Sequence, residues 1–153
     1  TDVGHGEHDA FWALGTAGHT LDVASCYTLS SLDMRVVSWL TQAPQPTTMV
    51  QTAHSNHLLR RTKITSFQPS LGADDSPFLA LCTTEEVQFY DRRYTHVPLY
   101  SWAHRRGYDR TLTLTDVPVA APHSVLLSSQ HNRLLVTYGM HTEPRRGVDT
   151  LQL

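Results

Sequence analysis

The feature that most constrains the fold is a hairpin pattern used three times. FWALGTAGHTLDVAS from Phe11, FLALCTTEEVQFYDR from Phe78 and VLLSSQHNRLLVTYG from Val125 share one plan. A short run of strand character ends in a small residue, Gly15, Cys82 or Ser129. A polar turn follows: Ala-Gly-His, Thr-Glu-Glu or Gln-His-Asn. A second strand then resumes over Thr20–Ala24, Val87–Tyr90 and Leu134–Tyr138. Gly and Asn suit such turns because both tolerate positive φ. Helix signals are nearly absent, since no window keeps apolar residues at i, i+3, i+4 and i+7 with good helix formers between them. Thr, Ser, Val, Leu and Tyr dominate and turn residues arrive often, so the chain is expected to be all-β with many short strands.

Spacing narrows this further. The second and third hairpins start 47 residues apart, at Phe78 and Val125, close to the period of about 40–45 residues for four-stranded propeller blades. The first and second start 67 apart, at Phe11 and Phe78. The excess is assigned to a loop insertion, about 41–57, over TQAPQPTTMVQTAHSNH, which is polar, lacks periodicity and holds Pro44 and Pro46. The second repeat is legible in full: an inner strand in LLRRTKITSFQPS, a middle pair Phe78–Cys82 and Glu86–Tyr90, and an outer strand Pro98–Trp102. This order resembles a degenerate WD-type repeat, with Asp91 in the Asp position, Tyr90 in the aromatic position and His104 where the next Gly-His would fall. The expectation is a β-propeller fragment of about two to three four-stranded WD-like blades, with blade portions about 8–40, 58–104 and 108–141. A single blade cannot bury both faces, so the blades must stack and the ends should expose edge strands.

Composition sets the bounds. The 153 residues suffice for one domain with a real core, and a net charge of −2 gives no field that would draw the chain to nucleic acid or membrane. No apolar run is long enough to span a bilayer as a helix. Two cysteines, Cys26 and Cys82, make no disulfide framework, so a reducing compartment is expected. The chain does not start with Met and reads as a piece of a longer protein.

His5/His8 and His54/His57 each form H-x-x-H, but both pairs fall in expected loops without a third ligand, so no metal is expected. No G-x-S-x-G elbow or glycine-rich phosphate loop occurs, Cys82 sits in an expected buried strand, and the carboxylate pairs Asp74-Asp75 and Glu85-Glu86 lie in turns. No catalytic residue, no cofactor and no small-molecule substrate is therefore expected. The remaining feature is Arg-Arg, which occurs at Arg60-Arg61, Arg92-Arg93, Arg105-Arg106 and Arg145-Arg146. Arginine forks suit phosphate or carboxylate. Three pairs fall at strand ends or connections, placed to line one rim, and Trp102 and Tyr108 flank Arg105-Arg106. Arg92, Arg93, Trp102, Arg105, Arg106 and Tyr108 are the candidate partner or nucleic-acid contacts. Local neutralisation by Asp91, Asp109 and Glu143 is the competing reading.

The segment DRRYTHVPLYSWAHRRGYDRTL, Asp91 to Leu112, resembles the β-propeller subunit of the RNA polymerase I promoter-selectivity (core) factor. The resemblance rests on Asp91, Arg93, Pro98, Leu99, Trp102 and His104, then Asp109, Thr111 and Leu112, then Leu126–Ser129 and Leu134–Tyr138. Tyr90 stands where the WD-type aromatic is Trp. The resemblance implies a non-catalytic scaffold in transcription initiation at ribosomal DNA promoters. It implies as partners the TATA-binding protein, a TFIIB-like subunit and RNA polymerase I, with promoter DNA a candidate contact and no membrane. It places the protein in the nucleolus of the nucleus. A generic WD-repeat interaction module of another eukaryotic complex is the alternative.

Overall fold

In the strand Phe78–Thr83, five consecutive side chains from Leu79 onward are buried. Neighbouring side chains on a strand point to opposite faces, so this strand must lie between two packed layers. A computed structural model, describing residues 13–35, 46–52, 62–72, 76–117, 123–139, 141–145 and 148–152, shows what those layers are. Among the described residues there are strands and no helix.

Thirteen strands are described, numbered in chain order. β5 (Ile64–Gln68), β6 (Phe78–Thr83), β7 (Glu86–Asp91) and β8 (Tyr100–Ala103) form a four-stranded antiparallel sheet in sequence order. β1 (Ala13–Ala17), β2 (Thr20–Ala24), β3 (Thr28–Asp33) and β4 (Thr47–Gln51) form another of the same order. A third sheet has β10 (Ser124–Ser129) between β9 (Leu112–Asp116) and β11 (Leu134–Gly139). β12 (His141–Arg145) and β13 (Val148–Gln152) pair only with each other among the described residues.

The middle sheet is packed on both sides. Ala80, Cys82, Val87 and Phe89 meet Leu112, Leu114, Val125 and Leu127 of the third sheet. Ile64, Phe67, Leu79, Leu81 and Tyr90 meet Ala24, Leu29 and Val50 of the first. First strands of successive sheets are pinned to their neighbours. Leu114 donates its N–H to Ser66 Oγ at 2.7 Å and accepts from Gln68 Nε2 at 2.8 Å. The Ile64 N–H reaches the Cys26 carbonyl in the β2–β3 turn at 2.7 Å.

Two expectations need correction. The repeated hairpins are not equivalent: β1–β2 holds the first and second places of its sheet, whereas β6–β7 and β10–β11 hold the second and third. The counterpart of β6–β7 is β2–β3, offset by 58 residues from Thr20 to Phe78 and from Thr28 to Glu86. Both alignments preserve an apolar run and a turn, so alternation alone could not choose between them. The stretch 41–57 is also not one loop, because it contains β4, whose Val50 is buried. Pro46 sits just before β4, where its missing N–H costs little, and it does not disqualify the strand. The first sheet accordingly runs to Gln51, past the expected limit near residue 40. In the β10–β11 turn positive φ falls on Arg133, at 52°, while Asn132 acts through its side chain.

Gly15 marks the closest approach of the first two sheets. A Cβ there would lie 2.8 Å from Pro69 Cγ and 3.1 Å from the Phe67 ring. Gly15→Val should cost about 1–3 kcal/mol through forced repacking. Urea unfolding measures this, and an unchanged midpoint would show that the two sheets do not meet there.

Candidate functional site

The six candidate residues fall at two opposite ends of the middle sheet. β7 and β8 are antiparallel, so Arg92-Arg93 after β7 and Arg105-Arg106 after β8 cannot share an end. The expectation of a single arginine rim is corrected for these two pairs. Arg60 and Arg61 lie outside the described residues, as do Arg146 and the side chain of Arg145. His5, His8, His54, His57, Asp74 and Asp75 also lie outside them.

At the first end, Arg92 is committed to an inter-sheet clamp. Its guanidinium reaches both oxygens of Asp22 at 2.5 and 2.8 Å, the Pro69 carbonyl at 2.8 Å and Thr20 Oγ1 at 2.7 Å. The Asp22 side chain is fully buried and that of Arg92 is 13% exposed. This joins β2 of the first sheet to the end of β7, and the fork gives the buried carboxylate its charge-assisted hydrogen bonds. Arg93 is different. It is 66% exposed and folds back on Asp91, with Nε at 2.9 Å and Nη2 at 2.6 Å from the carboxylate. The hydrogen bonds from Arg93 hold the Asp91 carboxyl below its ordinary value. Asp33 and Arg35 repeat the device at the end of β3, with Nε at 3.0 Å and Nη2 at 2.7 Å. This Asp-x-Arg repeat is legible in the sequence at the same 58-residue offset, the one that matches β2–β3 with β6–β7.

At the other end, the turn after β8 is organised around two buried polar groups. His104 Nδ1 accepts the Arg106 N–H at 3.1 Å, so Nε2 carries the proton and donates to the Thr83 carbonyl at 3.1 Å. Burial pushes the imidazole below its ordinary 6.5, the Thr83 carbonyl opposes this, and the nearby Arg106 charge adds to the depression. Asp109 accepts from Thr111 N–H and Oγ1, both at 2.7 Å, from Ser129 Oγ at 2.5 Å and from Asn132 Nδ2 at 3.0 Å. Burial alone would raise its pKa, and these donors outweigh that and hold it at about 2. Asp109 thereby ties the entry to β9 to the β10–β11 turn. Between these anchors Arg105 is exposed at φ 53° and Gly107 takes φ 64°. Arg106 and Tyr108 are half-buried.

Trp102 belongs to the packing. Its ring lies 5.5 Å from Phe89 edge-to-face, 6.0 Å from Tyr100 in a stack and 5.7 Å from Tyr138. It is a half-buried bridge from β8 to β11.

Two clefts open between the first and second sheets. One, of about 390 Å³, is lined by Val50, Gln51, Thr52, Glu85, Glu86 and Tyr90 among others. The other, of about 260 Å³, is bordered by His19, Arg35, Arg92 and Arg93. Among the described residues no group of three His, Cys, Asp or Glu side chains is placed to hold a metal ion. Burial pushes the Cys82 thiol up to about 12, which leaves it without thiolate character near neutrality. No protein-family model, curated protein or solved structure matches this chain.

The two neighbouring arginines should behave oppositely. Arg92→Ala leaves a fully buried carboxylate unpaired and should cost about 3–5 kcal/mol, whereas Arg93→Ala removes a mostly exposed guanidinium from an Asp91 that keeps the backbone N–H of residue 93, and should cost less. Chemical denaturation of both variants checks this, and equal costs would remove the clamp. His104 gives a pH signature. Its folded pKa is depressed, so the unfolded chain takes up the proton first as pH falls. Its contribution is complete above its ordinary 6.5 and is lost on acidification below that value. The stability lost on going from neutral to mildly acid pH should therefore be smaller in His104→Gln than in the parent chain. Identical pH slopes would overturn this.

Proposed function

We propose that this chain is part of a β-propeller scaffold that assembles proteins at RNA polymerase I promoters, a non-catalytic role. The observation that carries the scaffold reading is the middle sheet: a four-stranded meander in sequence order, packed on each face by another sheet. That arrangement supports the reading of a blade within a stack, with the turns at both ends as its proposed contact surfaces. The polymerase I reading rests on the resemblance of Asp91 to Leu112. TATA-binding protein, a TFIIB-like subunit and the polymerase are its proposed partners, and the nucleolus its proposed site.

A second reading is favoured by one observation. The residues that carry the resemblance are largely architectural: Trp102 and Leu112 pack in the core, and His104 and Asp109 organise the turn between sheets. Residues that hold a blade together report the blade before they report its partner. A generic WD-repeat interaction module of another assembly has the same requirement.

Affinity purification of the intact protein separates the two. Recovery with TATA-binding protein and polymerase I subunits supports the first, and their clean absence favours the second. Arg105→Glu combined with Arg106→Glu should weaken that association without changing the far-ultraviolet circular dichroism spectrum. Unchanged association would remove this turn from the contact surface.

A further inference from the structure

The 260 Å³ slot between the first and second sheets has an uneven charge. Its described lining includes Arg35, Arg92, Arg93 and His19 and no carboxylate. The three aspartates that balance these arginines, Asp22, Asp33 and Asp91, bond to the guanidiniums and do not line the slot. Arg92 has spent four hydrogen bonds on the clamp. Arg35 and Arg93 have not. Each uses Nε and Nη2 on its own aspartate, and Nη1 of each meets no acceptor among the described residues. Both side chains are about two-thirds exposed, at 67% and 66%. The two are equivalent by position, each standing two residues after a strand-ending aspartate in adjacent sheets.

We infer that this slot is a carboxylate-binding site for an acidic segment of a partner protein, received between Arg35 and Arg93. The inference rests on the scaffold reading and names the chemistry of one partner. Each guanidinium is already oriented by its aspartate, so little side-chain freedom remains to be lost on binding, and the free edge offers charge-assisted hydrogen bonds. A protein carboxylate fits better than a nucleic-acid backbone for two reasons. The neighbouring aspartates cancel the long-range field, and the chain carries −2 overall, so nothing draws in a polyanion from a distance. What survives is short-range fork geometry, which suits single carboxylates. The Asp-x-Arg unit thus has two jobs: it ends a strand and it aims a cation.

The test uses the full chain and a fluorescein-labelled peptide of alternating Glu and Ser, with the Gln-Ser peptide as control, read by anisotropy at low salt. Saturable binding of the Glu peptide alone is expected. Arg35→Gln combined with Arg93→Gln should weaken it by roughly tenfold, the loss expected for charge-assisted hydrogen bonds. Arg35→Lys with Arg93→Lys should also weaken it, because lysine keeps the charge and loses the fork. Circular dichroism should stay as in the parent chain, since both guanidiniums are two-thirds exposed and Asp91 keeps the backbone N–H of residue 93. Absence of binding, equal binding by the variants, or equal binding of an oligothymidine of matched charge would each overturn the proposal. If the intact protein recovers its partners yet ignores the peptide, the slot fails alone. If it recovers no partner, the scaffold reading fails whatever the peptide does.

Discussion

The structure depends on removing both faces of one thin sheet from water. β6 sends Leu79 and Leu81 to one side and Ala80 and Cys82 to the other, and all four are fully buried. Re-exposing a large apolar side chain costs about 1.5–3 kcal/mol. On one side Leu79, Leu81, Ile64 and Phe67 would be uncovered together, and on the other Val87 and Phe89. The first loss is comparable with the whole stability of an ordinary domain, about 5–15 kcal/mol, and the second is a large part of it. The middle sheet therefore cannot outlast its neighbours. The turns and loops hang from a stack whose order is set by this requirement.

Apolar burial does not by itself fix how the sheets sit against one another, because it has no direction. The polar pins do. Asp22 and Arg92 fix the first sheet against the second, and Ser66 and Gln68 fix the second against the third. Asp109 and His104 then hold the connection between the second and third sheets at the other end. Arg92, Asp109 and His104 each bond to more than one partner, as suits a polar group taken out of water.

Much of this was legible in the sequence where the information is local. The strand pairs β6–β7 and β10–β11 could be placed to within a residue or two, because the apolar runs and polar turns that define them lie next to each other. Their place in the sheets was not, since β1–β2 and β2–β3 satisfy the same pattern. β4 was hidden because its five residues, TTMVQ, bury only Val50 deeply and sit beside two prolines. The role of Arg92 could not be read, because its partner Asp22 is 70 residues away and only the stacking brings them together. The separation of Arg92-Arg93 from Arg105-Arg106 could have been read. One strand lies between them, and a single antiparallel step reverses the end at which the chain emerges.

The placement of the two thiols has a use of its own. Cys82 lies in the seam between the second and third sheets, and Cys26 lies where the β2–β3 turn touches the start of β5. Both are buried and unbridged. An alkylating reagent can reach either sulfur only after its own seam has parted. The chain thus carries a separate clock for each junction, and their two rates would say which sheet lets go first.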